Sequence, residues 1–222
     1  MGKTPQTSDA IHLGIILAVS GGFMDAYSYL CRDHVFANAQ TGNILLFGVN
    51  IVGGNFQLAL RYFIPMLAFT IGIILSNIVR HKCTRHSSLH WRQITVLIEI
   101  LLLSLVAFLP QDYNLYANSL ISMACGIQVE CFRKMHSYPV STTMCIGNLR
   151  SGTQSLCDYF FNHNIIELKK TLLYYGIIFN FILGAVFGSL VIKFAHEKSI
   201  LLCPVMLLLV FFMMFSRGDD SE

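Results

Sequence analysis

The chain has 222 residues, 55% of them hydrophobic and 12% charged, with Lys+Arg 15 against Asp+Glu 12 and a mean hydropathy of +0.61. A soluble domain carries about a quarter charged residues, so the composition excludes an ordinary water-soluble domain. The small positive excess gives no sign of a nucleic-acid surface.

Apolar runs near 20 residues long read as transmembrane helices, because a bilayer core about 30 Å thick needs about 20 residues at 1.5 Å each. The first run covers 11–30, after "MGKTPQTSD". It holds Asp25 and reaches no A-x-A-like site, so it is expected to stay as the first span and not to be cleaved as a signal peptide. Gly14, Ala18, Gly21, Asp25 and Ser28 fall on one helical face. A run over 41–54 follows, too short to cross, opened by Gln40, Thr41, Gly42 and Asn43.

Two longer runs cover 59–79 and 93–109. Between them lies "HKCTRHSSLHW", which offers His81, Cys83, His86 and His90. A closed zinc site needs four ligands in fixed geometry. A basic juxtamembrane loop is the expected reading, with no metal and no cofactor. The next long run, 114–133, carries Ser119, Ser122, Gly126, Glu130 and Arg133 on one face. A second short run, 141–157, contains Thr142, Thr143, Gly147, Asn148 and Arg150. The last two long runs are 172–194 and 199–215.

Six spans with both termini cytoplasmic place 11 of the Lys and Arg residues inside and 4 outside, Arg32 and Arg61 among the latter. If both short runs also cross, the best split is 9 against 5 and Arg150 lies within the bilayer. The first arrangement is expected: an all-α polytopic membrane protein of six transmembrane helices plus two short half-helices. Seven cysteines with no C-x-x-C pair, most of them in apolar runs, read as free thiols.

The two Gly-Asn pairs stand 105 residues apart (147 − 42 = 105), and at that offset Gly21 meets Gly126 and Asp25 meets Glu130. Phe69, Gly72 and Ser76 match Phe181, Gly184 and Gly188 at an offset of 112. The chain therefore reads as one transmembrane domain, 1–222, made of two repeats over about 11–109 and 114–215. Three spans per repeat would insert the second upside down, which is a transporter pattern.

The stretch Gly21-Gly22-Phe23-Met24-Asp25-Ala26, then Phe36-Ala37-Asn38 and Thr41-Gly42-Asn43, resembles the YoaK-type family of bacterial membrane proteins, a domain of unknown function. Gly126-Ile127-Gln128, Thr142-Thr143 and Gly147-Asn148 resemble its weaker second motif. The chain departs from the pattern at Ile146 and Glu130. The resemblance implies a multi-pass protein of the bacterial cytoplasmic membrane and implies no activity.

A helix that starts inside a membrane exposes unpaired N–H groups and the positive end of its dipole. Such ends bind anions. Gln40, Thr41, Gly42 and Asn43 in one half, with Gln128, Thr143, Gly147 and Asn148 in the other, are candidates for capping these ends or touching a solute. Asp25, Glu130 and Arg150 are the candidate ionisable groups at depth, either as a structural ion pair or as a substrate or cation site. No catalytic signature occurs: there is no G-x-S-x-G, H-E-x-x-H or P-loop. The expected function is transport of a small solute, with an anion among the candidates. The alternative is a non-transporting membrane protein that binds a lipid or protein partner. Membrane lipids are the expected surroundings, nucleic acid is not expected, and homo-oligomerisation is left open.

Overall fold

The computed structural model describes residues 7–83, 90–134 and 138–215. Part of the basic loop, with Arg85 and His86, lies outside them. The described chain is all helical, with no β-strand. Eight α-helices follow in order: α1 Thr7–Cys31, α2 Gln40–Val52, α3 Phe56–Cys83, α4 Trp91–Val106, α5 Asn114–Cys131, α6 Cys145–Asn162, α7 Ile165–Ala195 and α8 Leu202–Phe215. Among the described residues, three stretches are long and apolar enough to cross a membrane: Ile11–Cys31, Phe56–Cys83 and Ile165–Met214, the last running through α7, a 3-10 turn and α8.

Local chemistry sets the helix ends. Asp33 and His34 both take positive φ after α1, and His163 and His196 do so after α6 and α7. Among non-glycine residues, Asn, Asp and His tolerate this conformation best. Before α4, His90 forms a capping box: its ring accepts from the Arg92 amide, and the Gln93 side chain accepts from the His90 amide. Asn164 caps α7 by accepting from the Ile166 amide.

Small residues set how the helices meet. α1 packs on α7, and α5 packs on α3. A Cβ on Gly22 would lie 1.9 Å from the Phe181 carbonyl oxygen, and one on Gly184 would lie 2.0 Å from that of Val19. Across the other pair, a Cβ on Gly126 would lie 2.2 Å from the Phe69 carbonyl oxygen, and one on Gly72 would lie 2.1 Å from that of Met123. Only glycine allows backbones this close, which is how small residues drive helix association in lipid. The remaining contacts repeat the scheme: α2 lies on α3 and α6 on α7, α4 touches α5 as α8 touches α1, and α4 meets α8.

Arg32 closes the far end of this packing. It is completely buried and makes five hydrogen bonds. Its guanidinium donates to the Val106, Leu109 and Pro110 carbonyls, to Asn114 Oδ1 and to the Tyr27 hydroxyl. The last carbonyl of α4, with two of the turn that follows it, thus finds a charged donor at the negative end of the helix dipole. The loop charge expected at position 32 is therefore an internal clamp. Asn118 Nδ2 holds the Arg32 carbonyl in turn, at 2.6 Å.

Candidate functional site at the starts of the two short helices

Each Gly-Asn pair belongs to a loop closure. Asn43 Nδ2 donates to the Phe36 carbonyl at 2.8 Å, and Asn43 Oδ1 accepts from the Phe36 amide at 3.2 Å. Asn148 does the same to Ser141, at 2.5 and 3.2 Å. Both asparagines are buried, and both partners lie 7 residues upstream. A carboxamide offers a donor and an acceptor side by side, as a backbone peptide does, so each Asn pins the turn that leads into its helix. The second helix accordingly begins at Cys145, later than the run from 141 suggests.

Around these closures the expected site residues separate. Gln40 donates to the Ala37 carbonyl and accepts from Asn43. Thr41 is exposed, as are Gly147 and Arg150. Gly42 fits against the Phe36 ring, 2.9 Å from where a Cβ would stand, while a Cβ on Gly147 would meet nothing within 4 Å. Glu130 pairs with Arg133 at 3.1 Å, three residues on and just past the end of its helix.

The packing explains that placement of Glu130. Against α3, Gly126 plays the part that Gly22 plays against α7, an offset of 104 (126 − 22 = 104). Met123 and Val19 give the same offset (123 − 19 = 104). The offset of 105 holds only for the loops. One residue turns a helix by about 100°, so Glu130 matches Ala26 in the packing and faces away from the direction taken by Asp25.

Asp25, Gln128 and Thr143 do converge, on one face of α1. Leu17, Gly21 and Asp25 stand one turn apart there. Gln128 Nε2 donates to the Leu17 carbonyl at 3.1 Å and to Thr142 Oγ1 at 3.3 Å. Asn38 Nδ2 donates to the Gly21 carbonyl at 3.2 Å. A Cβ on Gly21 would lie 2.7 Å from Thr143 Cγ2. Asp25 Oδ1 accepts from the Asn38 amide at 2.7 Å, and the Ala37 and Ala39 amides also face this carboxyl. The N-terminal sides of α2 and α6 thus meet at the middle of α1, and a carboxyl of the protein itself takes the amides ahead of α2.

Three buried oxygens at this junction have no hydrogen-bond partner among the described residues: Asn38 Oδ1, Gln128 Oε1 and Thr143 Oγ1. The amide orientations follow from their partners, because each side-chain nitrogen donates to a backbone carbonyl and leaves its oxygen free. Asn38 and Thr143 hold the same place ahead of their helices (143 − 38 = 105), and each is 4% exposed. Sequence reasoning passed over Asn38 as a site residue. It also missed Glu99 of α4, completely buried with neither oxygen partnered among the described residues. The signal for Glu99 was a single acid in an otherwise apolar run.

The fold and site define a class: an all-helical membrane protein with a polar junction inside its helix packing. The chain belongs to the family described as "Protein of unknown function (DUF1275)", which matches residues 13–213. It is 25% identical over 166 residues to the UPF0700 transmembrane protein YoaK of Bacillus subtilis (strain 168), a match that covers 71% of each chain. No solved structure matches it.

Proposed function

We propose that the protein is a transporter of a small solute, with the solute site where the two short helices begin. One observation carries this reading: Asn38 and Thr143, at equivalent places ahead of α2 and α6, each bury an oxygen that has no hydrogen-bond partner among the described residues. Leaving a buried polar group unpaired costs about 1–3 kcal/mol, and a membrane interior is where such groups mark a solute path. Asp25 already takes the amides ahead of α2. The free groups are therefore mostly acceptors, which favour a solute rich in N–H or O–H donors over the anion suggested by helix ends alone.

The architecture proposed with it is six spans and two half-helices in two inverted halves, both termini cytoplasmic, in the bacterial cytoplasmic membrane. The matched contacts of Gly22 with Gly126 and of Asn43 with Asn148 support a duplication. The odd number of spans per half supports the inversion. The non-transporting alternative requires a dry, fully satisfied junction, and the three free oxygens weigh against it.

The test is uptake into proteoliposomes of the purified protein, over a panel of labelled amino acids, polyamines, polyols and organic anions. At least one donor-rich solute should enter faster than into protein-free vesicles, and Thr143→Val should slow it. A panel in which nothing moves, or only an organic anion moves, contradicts the reading.

A further inference from the structure

Glu99 lies outside the solute site proposed above. It sits on α4, which packs on α5, α8, α3 and the 3-10 turn before α8. Its side chain is 0% exposed, and neither oxygen has a partner among the described residues. Val96, Leu103 and Val106 of the same helix belong to the surrounding apolar core. The titratable groups within charge–charge range of it come from α5, Cys125 and, nearly two turns further on, Cys131, with Cys203 of α8 in range of Cys125. Arg92 and Glu130 act on Cys131, towards the N-terminal end of α4. No titratable group of α3 or of the 3-10 turn is among them.

A bare carboxylate in apolar surroundings costs several kcal/mol, so such a group is neutralised by a proton or a bound cation. A hard cation wants several oxygen ligands. The groups linked to Glu99 here are the Cys125 and Cys131 thiols, the same helix adds apolar Val96 and Leu103, and the Thr95 hydroxyl is already engaged with the Arg92 carbonyl and Cys131. The proton is the ligand that fits.

Thr95 lies one turn from Glu99, towards the capped start of α4. In the other direction Cys125 lies within charge–charge range of both Glu99 and Asp25. We propose that Glu99 is an exchangeable proton-binding site in the membrane core, and that its occupancy sets the charge next to Cys125. The step is a simple dissociation: the carboxyl O–H gives its proton to water through the Thr95 side and becomes a carboxylate. This inference stands on the packing around α4 and does not depend on the solute reading.

The test is infrared difference titration of the full chain in detergent, with 13C-carboxyl glutamate or aspartate incorporated. At neutral pH a protonated-carboxyl band should be present that moves with labelled glutamate. It should disappear reversibly as the medium becomes alkaline, and be lost in Glu99→Gln and Glu99→Leu. If neither variant folds, the labelled wild-type protein still decides. Absence of a glutamate-derived band, a band that survives both substitutions, or a band indifferent to pH up to unfolding would each overturn the proposal.

Discussion

Asn38 and Thr143 stand 105 residues apart (143 − 38 = 105) and play one role twice, each leaving a buried oxygen without a partner among the described residues, just ahead of α2 or α6. Their neighbours Asn43 and Asn148 are fully engaged. The contrast divides the polar residues of the two motifs: the asparagines inside the helices hold the loops, and the residues ahead of the helices face the junction.

The loop closures should be structural. Asn43→Ala and Asn148→Ala each strand an amide and a carbonyl at Phe36 or Ser141, at a cost of about 2–3 kcal/mol. Thermal unfolding in detergent should show a clear drop for both. An unchanged midpoint for either would mean that its loop is held by something else.

Glycine substitutions should split by backbone approach. Gly22→Ala and Gly126→Ala push a methyl into a carbonyl and should destabilise by about 1–3 kcal/mol. Gly147→Ala meets open space and should be neutral or slightly stabilising, because alanine is the better helix former by about 1 kcal/mol. A parallel stability series on the three variants checks this, and equal effects would contradict the packing.

Arg32→Lys should be poorly tolerated although the charge is kept. A point ammonium cannot reproduce a fork that reaches three carbonyls, Asn114 and Tyr27. The expected loss is on the order of 3 kcal/mol, seen as a lower unfolding midpoint or loss of the folded peak in size-exclusion chromatography. Wild-type stability in this variant would show that the clamp contributes little.

Orientation is checked by single-cysteine labelling in a cysteine-free background. A cysteine at Asp112 should react with an impermeant reagent from outside intact cells, and one at Lys82 only after permeabilisation. The opposite pattern would invert the arrangement of the termini.

Most of the helical layout was legible in the sequence. Length and hydropathy located every helix, and the two polar Gly-Asn openings marked α2 and α6. The boundaries moved where side chains override hydropathy: Asn148 holds Ser141 outside α6, and Asn164 starts α7 before its apolar run begins. The site was legible in part. A motif match joined Asp25 to Glu130, but repeat register in a helix is fixed by backbone contacts, and a one-residue shift moves a side chain to another face. Arg32 looked like a loop charge because its acceptors come from a turn about 80 residues away, which no local pattern shows. Glu99 showed in the sequence only as a lone acid in an apolar run, because burial without a partner is a property of three dimensions.

Asp25 should separate charge from structure. Asp25→Asn keeps an acceptor for the Asn38 amide, so the unfolding midpoint should shift by no more than about 1 kcal/mol equivalent. Uptake of the solute found by the panel should fall about tenfold or more, the loss that follows when a charged hydrogen bond worth about 1.5–3 kcal/mol is removed. A stable variant with unchanged uptake would remove Asp25 from the solute site.

The most direct measurement is access to Thr143. In a cysteine-free background, Thr143→Cys places a thiol at the junction with little change in size. Reaction with a small, membrane-impermeant methanethiosulfonate should occur from the outside in intact cells and from the inside in inverted vesicles, as a solute site that opens to each side in turn requires. A folded protein whose residue 143 thiol reacts from neither side, or from one side only, would contradict transport through this junction.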